Sequence, residues 1–370
     1  MRRRLFILIA PLVVLLLILG PLRDPILRIP FVQRTIFRYG FQAGVAAARV
    51  RRDMVAALEL RVVLCGTASP MPSPTRAGPC ALVIAANHMW LIDTGGGSIR
   101  NLMLWRLPLD RLAGVLLTHF HSDHIEDLGE ANMQSWVAGR SAPLAVYGGP
   151  GVARVVQGFD DAYAQDSDYR VAHHGKALLP PDAGVMVSHE VGSAPGVPLR
   201  EGETTPVLAQ DGLKITAIGV NHFPVVPAYG YRFDYGGRSV VISGDTRKSP
   251  PLAIAARGAD VLVHEAQQSE LLQQAHTLAA ADGLPRLAKI FNDVQSYHTT
   301  PDQAGEIANA AGARLLILTH LTPPLPAFFA GPAFLGMAAR TRAGGTLLGY
   351  DGLMVSLPTG STAINVTRLN

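Results

Sequence analysis

The sequence predicts an α/β protein in which helices cover two packed β-sheets, with one transmembrane helix before this body. Three observations carry the prediction. Short apolar runs with strand character alternate with helical patterns, which fits helices layered on sheets better than an all-β fold. An uncharged stretch near the start is long enough to cross a bilayer. A dense group of histidine and aspartate residues directly follows one of the apolar runs, where loops at a sheet edge often carry function.

The N-terminal segment is predicted to anchor the chain in a membrane. Residues 5–22 carry no charge, and arginines flank them on both sides. At about 1.5 Å per residue, a helix of this length just reaches across the hydrocarbon core of a bilayer. Because no small-x-small cleavage site follows promptly, an uncleaved transmembrane anchor at residues 1–22 is favoured over a signal peptide.

Residues 23–58 are predicted to be a basic amphipathic segment beside that membrane. Apolar residues there are mixed with recurrent arginines, a pattern typical of a helix that lies on an anionic membrane surface. A helix docked on the following domain is the ordinary alternative. The arginines on the two sides of the apolar stretch are nearly equal in number, so the orientation of the chain in the membrane is weakly determined. Those at the start favour a chain anchored in the cell membrane with its main domain outside the cytoplasm.

Residues 59–370 are predicted to form one large domain, long enough to bury a substantial core. The net charge of the chain is +4, and the arginine-rich first 52 residues supply much of that excess. The main domain is therefore close to neutral, which gives little indication of a nucleic-acid-binding face. Strands are predicted at residues 60–65, 81–86, 112–118, 214–219, 239–243, 261–263 and 315–319, and helices at residues 123–138, 151–160 and 302–311.

The chain has two cysteines, Cys65 and Cys80. A disulfide between them is one interpretation. The simpler interpretation is that both are small buried apolar residues, since Cys65 lies in a predicted strand and Cys80 just before one. Neither is predicted to bind metal.

A dense group of metal-ligand residues indicates the chemistry of the main domain. His119, His121, Asp123 and His124 lie within six consecutive residues, directly after an apolar run. Neutral imidazoles and carboxylates suit zinc, and a hydrolytic zinc site leaves one coordination position for water. Alternation directs His119 and His121 to one side and Asp123 and His124 to another, which favours two metals over one. A polar loop with ordinary histidines is the weaker alternative.

Three further polar residues, His222, Asp245 and His320, follow or end other strand-like runs. Taken alone, His222 reads as a loop histidine, Asp245 as a turn or helix cap, and His320 as the close of a strand. Their shared placement at the ends of apolar runs makes independent coincidence the harder explanation. A common site with the first group is therefore favoured.

These motifs resemble those of the metallo-β-lactamase-fold hydrolases, whose signature is His-x-His-x-Asp-His. The resemblance extends along most of residues 60–351, with residues 62–67 similar to the opening strand and turn and residues 91–95 similar to the Asp-x-Gly strand end. It implies a four-layered αβ/βα sandwich with two zinc ions. By the same resemblance, His119, His121 and His222 hold one zinc ion, Asp123, His124 and His320 hold the second, and Asp245 bridges both.

Two more histidine motifs narrow the resemblance to one branch. His264-Glu265-Ala266 and His298-Thr299-Thr300 are similar to the His-Glu-Ala-Thr and His-Ser-Thr elements of the ribonuclease Z group, which includes a zinc arylsulfatase branch. The resemblance implies that His298 donates a proton to the leaving oxygen and that His264 and Glu265 support it. A helix cap followed by proline is the alternative interpretation of the second motif.

The chain also departs from ribonuclease Z. From His222 to Asp245 is a step of 23 positions, too short for the long Gly/Pro-rich arm with which that family grips the body of tRNA. The Ser-x-Arg-Tyr-like tail expected after the last histidine is missing. Residues 157–169 and 267–295 lie in long intervals and are interpreted as surface helices rather than lids. His173, His174, His189 and His276 are interpreted as surface histidines.

The predicted function is hydrolysis of an anionic ester, either a phosphodiester or an aryl sulfate, by a hydroxide that bridges two zinc ions and that Asp123 and Asp245 orient. Ribonuclease Z-type processing of tRNA 3′ ends and hydrolysis of a membrane lipid are the alternatives. The alternative of a different class is a binding module that metal only stabilises. Such a module would be expected to lack some of the ligands, and none of the expected ligands is missing from this sequence. The predicted partners are a small anionic ester and, through residues 1–22, the membrane. Nucleic acid is disfavoured as a partner. A second copy of the chain, in a homodimer, is left open as a further partner.

Overall fold

The computed structural model of the chain describes residue 24 and residues 27–47, 50–56 and 58–369. The transmembrane helix predicted at residues 1–22 lies outside this part of the chain. Within it, no helix combines the length and the apolar character that a membrane crossing requires.

Two compact units divide the chain, Met1–Val50 and Arg51–Asn370. In the first unit, helix α1 (Pro30–Ala47) lies within the segment predicted to be basic and amphipathic. Phe31 and Arg34 are both exposed on this helix. The helix therefore presents apolar as well as basic side chains.

The second unit is built on β-strands, most of them short and buried. Valine, isoleucine and leucine dominate the central strands, as expected for strands covered on both faces. In chain order the strands are β1 (Glu59–Gly66), β2 (Cys80–Ala85), β3 (His88–Ile92), β4 (Leu112–Leu116), β5 (Leu144–Gly148), β6 (Met186–Glu190), β7 (Thr204–Gln210), β8 (Leu213–Gly219), β9 (Tyr229–Tyr235), β10 (Arg238–Ile242), β11 (Val261–Gln267), β12 (Leu315–Thr322), β13 (Thr346–Leu348), β14 (Leu353–Pro358) and β15 (Asn365–Arg368).

These strands form two sheets. One sheet has eight strands in the order β15-β14-β1-β2-β3-β4-β5-β6, and the other has seven in the order β13-β12-β11-β10-β9-β8-β7. Strands β3, β4, β5 and β6 are parallel to one another in the first sheet, as are β10, β11, β12 and β13 in the second. The remaining neighbours in both sheets, β2 with β3 and β9 with β10 among them, are antiparallel. Loops that leave parallel strands emerge at one edge of a sheet, so each sheet gathers several loops at the same edge.

Helices connect the strands and lie on the outer faces of the sheets. Leu128 and Val152 pack on the eight-stranded sheet, and Ile307 and Phe334 pack on the seven-stranded sheet. In chain order the helices of the second unit are α2 (Asp53–Ala56), α3 (Ser98–Leu104), α4 (Ser122–Ile125), α5 (Leu128–Val137), α6 (Val152–His174), α7 (Pro250–Ala255), α8 (Ser269–Ala281), α9 (Pro285–Asp293), α10 (Pro301–Ala311) and α11 (Ala327–Ala338).

A central core lies between the two sheets. Val83, Tyr231 and Ile317 are fully buried in it. Alternation along each strand sends every second side chain into this layer and the others towards the outer helices. Burying one large apolar side chain contributes about 1.5–3 kcal/mol, so the central layer is the main stabilising contact between the sheets. The predicted α/β sandwich of two sheets and covering helices is confirmed.

The structure differs from the sequence prediction mainly in the helices. The helix predicted at residues 123–138 is two helices, because the backbone N–H of Asp127 donates to Thr94 O and its carboxylate accepts from Ile99 N. These contacts compete with a continuous helix. The helix predicted at residues 151–160 instead runs on to His174 and ends at Gly175. This longer helix contains residues 157–169, the polar stretch that is interpreted above as a surface helix.

Cys65 and Cys80 form a disulfide. The favoured interpretation of two separate apolar side chains is therefore wrong, although both residues are buried. Strands β1 and β2 are antiparallel neighbours, and Gly66 lies opposite Cys80. This register brings the two Cα atoms to 5.0 Å from each other, within the range that a disulfide spans.

A buried ion pair ties the C-terminal segment to the seven-stranded sheet. Arg238 is 4% exposed; its Nε and Nη2 donate to Asp260, and its Nη1 donates to the carbonyls of Pro358, Ser361 and Ala363. Without Arg238, the carboxylate of Asp260 keeps only part of its compensation, from the more exposed Arg314, and three carbonyls lose their donor. We expect Arg238→Ala to lower the free energy of unfolding by about 3–5 kcal/mol, measured by urea denaturation.

A matched control exists on the surface. Arg340 pairs with Glu270, and both side chains are more than half exposed. Arg340→Ala should change the same free energy by no more than about 1 kcal/mol. An equal effect of the two substitutions would show that the Arg238 network contributes no more than a surface pair.

Candidate metal centre

The predicted ligands lie where loops leave the strands of both sheets. Residues 119–124 follow β4, His222 follows β8, and Asp245 follows β10. His320 lies near the end of β12. The four segments are far apart in sequence, and the packing of the two sheets brings them together.

Asp245 reaches the cluster because the chain turns sharply at Gly244. The φ angle of Gly244 is +61°, and a Cβ there would lie 2.3 Å from Tyr229 O and 3.1 Å from the Cβ of Thr118. Only glycine combines this dihedral with so close an approach. The turn therefore directs the Asp245 carboxylate across to the loop that follows β4.

His320 lies in a β-bulge. Thr319 pairs with Glu265 and Leu321 with Ala266, so His320 has no partner on β11. Its φ angle is +50°, in the left-handed region that a residue with a Cβ seldom adopts. Bulges re-aim side chains next to active sites, and local strain of this kind is stored there. The bulge turns the imidazole of His320 out of the ladder and towards Asp245.

The carboxylate of Asp245 lies at the centre of the cluster. Its Oδ2 is 3.2 Å from the Nε2 of His320, 3.3 Å from that of His124, 3.9 Å from that of His222 and 4.0 Å from that of His119. One oxygen is thus close to histidines of both predicted zinc sites. This is the position that a bridging carboxylate requires.

The side chains fall into two groups, each able to hold one ion. The first contains His119, His121, His222 and Asp245, and the second contains Asp123, His124 and His320. Within each group the ligand atoms lie within 4.8 Å of one another. The sequence analysis attributed the division into two groups to alternation along an extended loop. The structure has a different cause, because Ser122–Ile125 forms the short helix α4. The start of that helix turns Asp123 and His124 away from His119 and His121. As metal ligands, all seven residues stay predictions.

The polar atoms of the cluster fit metal ions. The Nε2 atoms of His119, His124, His222 and His320 and the Oδ2 of Asp123 are buried and make no hydrogen bond. A buried polar atom without a partner costs free energy, and here five of them point into one small volume. Imidazole nitrogens and carboxylate oxygens are the donors that zinc accepts in hydrolytic sites. The residues present therefore fit two zinc ions.

The protonation states of two histidines also suit metal binding. Burial lowers the pKa of His119 well below its ordinary value and lowers the pKa of His222 to about 4. Both imidazoles are therefore neutral at neutral pH. Neutral imidazole is the form that coordinates metal.

At two other groups, the charges within the cluster outweigh the effect of burial on the pKa. Burial raises the pKa of the Asp245 carboxyl, but His320 and His124 outweigh burial and hold that pKa well below its usual range. Burial lowers the pKa of His124, but Asp245 and Asp93 outweigh it and hold that pKa well above the ordinary value. A metal ion at His124 would release this proton, so metal affinity should rise with pH.

Asp93 holds His124 in place, a role that the sequence analysis did not assign. Its Oδ2 accepts from the Nδ1 of His124 at 2.8 Å and from the hydroxyl of Thr118 at 2.8 Å. Its Oδ1 accepts from the backbone N–H of Thr118. A carboxylate on the far nitrogen of a ligand histidine fixes its tautomer and orientation. The strand-end motif at residues 91–95 was the available signal for this role.

We expect Asp93→Ala to weaken zinc affinity roughly 10–100-fold, because His124 would lose its orienting partner. The measurement is a zinc titration against a competing chelator. Asp182→Ala, which removes an exposed carboxylate, is the matched control and should leave the affinity at the wild-type value. Unchanged affinity in Asp93→Ala would show that His124 needs no such partner.

His222 is oriented from the loop that carries His298. Its Nδ1 donates to the backbone carbonyl of Tyr297 at 2.9 Å. The ring of Tyr297 packs edge-on against the ring of His222, with centroids 4.9 Å from each other. Tyr297 was not singled out from the sequence, since a backbone carbonyl leaves no signal in the residue type.

His298 and Glu265 form a pair beside the cluster. The Nδ1 of His298 lies 2.9 Å from Glu265 Oε1, which also accepts from the backbone N–H groups of Thr246 and Thr299. His298, Asp245 and His320 form a third group whose ligand atoms lie within 4.8 Å. The free nitrogen of His298 is thus directed towards the predicted metals.

His264 is not part of this pair. Neighbouring residues of β11 alternate between the central core and the outer helices, as Val263 and Leu262 do. Glu265 therefore faces the site, and His264 faces the helix layer. His264 is fully buried, and its Nδ1 donates to the carbonyl of Glu265. The structure supplies no contact between His264 and His298, so a direct supporting role for His264 has no basis in this geometry.

The four histidines interpreted as surface residues lie outside the cluster. His173, His174 and His189 are exposed, and His276 is half-buried, with its Nδ1 bonded to Ala288 O. The interval between His222 and Asp245 consists of a loop, β9 and β10. In the described chain it contains no extended arm.

Comparisons with known proteins agree with this fold. The family described as the beta-lactamase superfamily domain matches residues 88–321. Ribonuclease Z of Mycobacterium bovis (strain BCG / Pasteur 1173P2) is 35% identical over 269 residues, which cover 72% of this chain and 87% of that protein. Ribonuclease Z of Mycobacterium avium (strain 104) is 35% identical over 297 residues, covering 79% and 96%.

Solved structures show the same fold. The short form of human tRNase Z aligns with a TM-score of 0.56 and 20% identity, covering 80% of this chain and 99% of that chain. The metallo-beta-lactamase fold protein YhfI from Bacillus subtilis aligns with a TM-score of 0.55 and 21% identity, with the same coverage. At these identities the likeness concerns the fold alone.

The chain therefore belongs to the beta-lactamase superfamily and, by its relatives, to the ribonuclease Z family within it. It is a metal-dependent hydrolase that acts on ester bonds. Zinc is the typical metal of this family, and the histidine and aspartate cluster is consistent with it.

Family membership corrects the predicted location and leaves three other predictions without support. A membrane-anchored protein with its catalytic domain outside the cytoplasm is contradicted by the match to ribonuclease Z. The uncharged stretch near the start and the arginines beside it led to that prediction, and both are local features that carry no information on the family of the main domain. The aryl sulfate substrate, the small anionic ester as main substrate and the membrane as partner have no support among these relatives. The prediction of a homodimer stays a prediction.

Proposed function

We propose that the chain is a ribonuclease Z-type phosphodiesterase that cleaves RNA at a dinuclear zinc centre. The observation that carries the proposal is the pair of His298 and Glu265 beside the seven predicted ligands. These two residues belong to the motifs by which the sequence resembles the ribonuclease Z group. The ribonucleases Z that are 35% identical to this chain support the same choice.

The chain's own residues would prepare the reaction. His119, His121 and His222 would hold one zinc ion, Asp123, His124 and His320 the second, and Asp245 would bridge both. When bound, two zinc ions supply a nucleophile at neutral pH and positive charge for the phosphoryl oxygens. Asp123 is only partly buried, and its Oδ2 lies 3.5 Å from the Nε2 atoms of both His124 and His320. From there its carboxylate orients the nucleophile.

His298 would donate the proton to the leaving oxygen. Burial lowers the pKa of His298, but the carboxylate of Glu265 outweighs it and raises that pKa to about 9. The imidazolium form is therefore present at neutral pH and is held in one orientation by Glu265. A positioned general acid of this kind accelerates a reaction by roughly 10²–10⁴-fold when the leaving group is a poor one, such as a ribose hydroxyl.

Recognition of RNA would be confined to the neighbourhood of the cut. The loop, β9 and β10 fill the short interval in which the family carries its tRNA-gripping arm. Within the described residues this interval offers no long arm that could hold the body of tRNA. We therefore expect a precursor tRNA and a short stem with the same 3′ extension to be cleaved with similar kcat/KM.

The test compares three substrates with the full chain loaded with zinc. An RNA with a 3′ extension and bis(p-nitrophenyl) phosphate should both be cleaved, and p-nitrophenyl sulfate should be cleaved far more slowly. Faster turnover of the sulfate would assign the centre to the arylsulfatase branch. If bis(p-nitrophenyl) phosphate is cleaved but no RNA is, the assignment as a metal-dependent phosphodiesterase would stand and the assignment as a ribonuclease would be rejected.

A further inference from the structure

A cleft lies beside His222, outside the cluster of predicted ligands. It has a volume of about 480 Å³, within the range of pockets that bind small molecules. The proposed chemistry uses none of its residues except His222. The cleft is lined by Arg200, His222, Phe223, Val226 and Arg247, among others.

We propose that this cleft is a nucleotide subsite in which Phe223 stacks on a base and Arg247 binds a phosphate oxygen. The occupant is the nucleotide next to the bond that is cut. The inference rests on the proposed function, because it takes RNA as the substrate.

Phe223 offers an aromatic surface to solvent at this cleft. Its exposed fraction is 65%, and that of Val226 is 62%. The backbone around Phe223 is fixed, since Val225 N donates to His222 O at 2.9 Å and Phe223 N donates to the side-chain oxygen of Asn221. A large exposed ring on a fixed loop needs little ordering to bind a base. Stacking of this kind does not depend on the identity of the base.

Arg247 offers a guanidinium that has spare donors. Its Nη2 donates to Phe223 O at 3.2 Å, and its Nη1 makes no hydrogen bond within the described residues. Its Nε also has no partner but is enclosed by protein, so the two Nη atoms are the donors available to a ligand. Within the described residues, neither Arg247 nor Arg200 forms an ion pair with a carboxylate. A guanidinium with free donors beside a hydrolytic centre suits a phosphate, whose oxygens accept two parallel hydrogen bonds.

Glu201 is the acidic residue in the lining, and its carboxylate is already engaged. Oε2 accepts from the side chain of Asn221 at 3.0 Å, and Oε1 accepts from Ser249 Oγ at 2.7 Å. Glu201 thereby holds Asn221, the residue before His222. The charge balance of the cleft is positive, with two arginines against one glutamate. This balance favours an anionic occupant.

The cleft adjoins the cluster of predicted ligands. The side chain of His222 belongs both to the cleft and to the first group of predicted ligands, and its Nε2 is 3.9 Å from Asp245 Oδ2. A substrate with its scissile phosphate at the cluster would pass its adjoining nucleotide into the cleft. The ring of Phe223 and the guanidinium of Arg247 would then meet a base and a phosphate of one strand.

The test is inhibition of bis(p-nitrophenyl) phosphate hydrolysis by adenosine 5′-monophosphate and by ribose 5-phosphate. In the wild-type protein the nucleotide should inhibit more strongly than the sugar phosphate, because it adds a base. Phe223→Ala should raise the inhibition constant of the nucleotide roughly ten-fold while changing that of the sugar phosphate little. Arg247→Gln should raise both constants. Phe328→Ala and Arg286→Gln, at exposed positions of α11 and α9, are matched controls.

Equal inhibition by the two compounds in the wild-type protein would overturn the proposal, and so would a nucleotide preference that survives Phe223→Ala. Direct calorimetric binding of adenosine 5′-monophosphate gives the same comparison if the small ester is not turned over. The assay does not require RNA cleavage. A base preference that depends on Phe223, found without RNA cleavage, would reject the proposed ribonuclease and keep the nucleotide subsite.

Discussion

Asp245→Ala should reduce the zinc content from two ions per chain to one or none and lower kcat by roughly a thousand-fold or more. The reason is the position of its Oδ2, which lies within 4.0 Å of the Nε2 atoms of His119, His124, His222 and His320. Removing it takes one anionic ligand from both predicted ions. Loss of metal-supplied charge stabilisation of about 4 kcal/mol corresponds to that rate factor.

The zinc content is measured by elemental analysis after dialysis, and kcat with bis(p-nitrophenyl) phosphate. Asp245→Asn keeps the shape of the side chain and removes its charge, which separates loss of a ligand from loss of packing. Asp182→Ala, at an exposed position, should retain both ions. Two tightly held ions in Asp245→Ala would show that the carboxylate is not a bridge, and full activity in a metal-free wild-type protein would reject the whole centre.

His298→Ala should lower kcat on RNA by roughly 10²–10⁴-fold while affecting a substrate with a good leaving group much less. His298 is predicted to protonate the leaving oxygen, and p-nitrophenolate leaves without that help. Glu265→Gln should give a smaller loss of the same kind, because its side chain still bonds to His298 but no longer raises the pKa of the imidazole.

The measurement is a pair of rates, one on RNA and one on bis(p-nitrophenyl) phosphate, for each variant. His173→Ala removes an exposed histidine of α6 and serves as the control. Equal losses on both substrates in His298→Ala would point to damage of the metal cluster instead of a lost proton donor. Zinc analysis of the variant distinguishes the two cases, since a proton donor can be removed without loss of metal.

The sequence predicted the layers of the fold because strand-like apolar runs are local signals. All seven predicted strands overlap strands of the structure, with ends that differ by a few residues. Helix ends were less predictable, since they depend on distant partners. The break at Asp127, for example, needs Thr94 O and Ile99 N, which belong to the segment after β3.

The candidate site was predictable for a similar reason. Four ligand residues within residues 119–124 are dense enough to be noticed, and His222, Asp245 and His320 each follow or end an apolar run. The supporting residues were harder to find. Asp93 acts through a hydrogen bond to His124, and Tyr297 acts through a backbone carbonyl. The strand-end motif at residues 91–95 marked Asp93 but not its partner His124, and the carbonyl of Tyr297 has no signal in the sequence.

By itself the sequence determined the order of strands and helices and the residue types at the strand ends. These follow from local periodicity and from the chemistry of single side chains. The tertiary structure decided which of those side chains meet, that Glu265 faces the site while His264 faces away, and that Cys65 pairs with Cys80. The physical reason is that strand pairing and sheet packing join segments far apart in the chain, and the local pattern of one segment does not specify which other segment it meets.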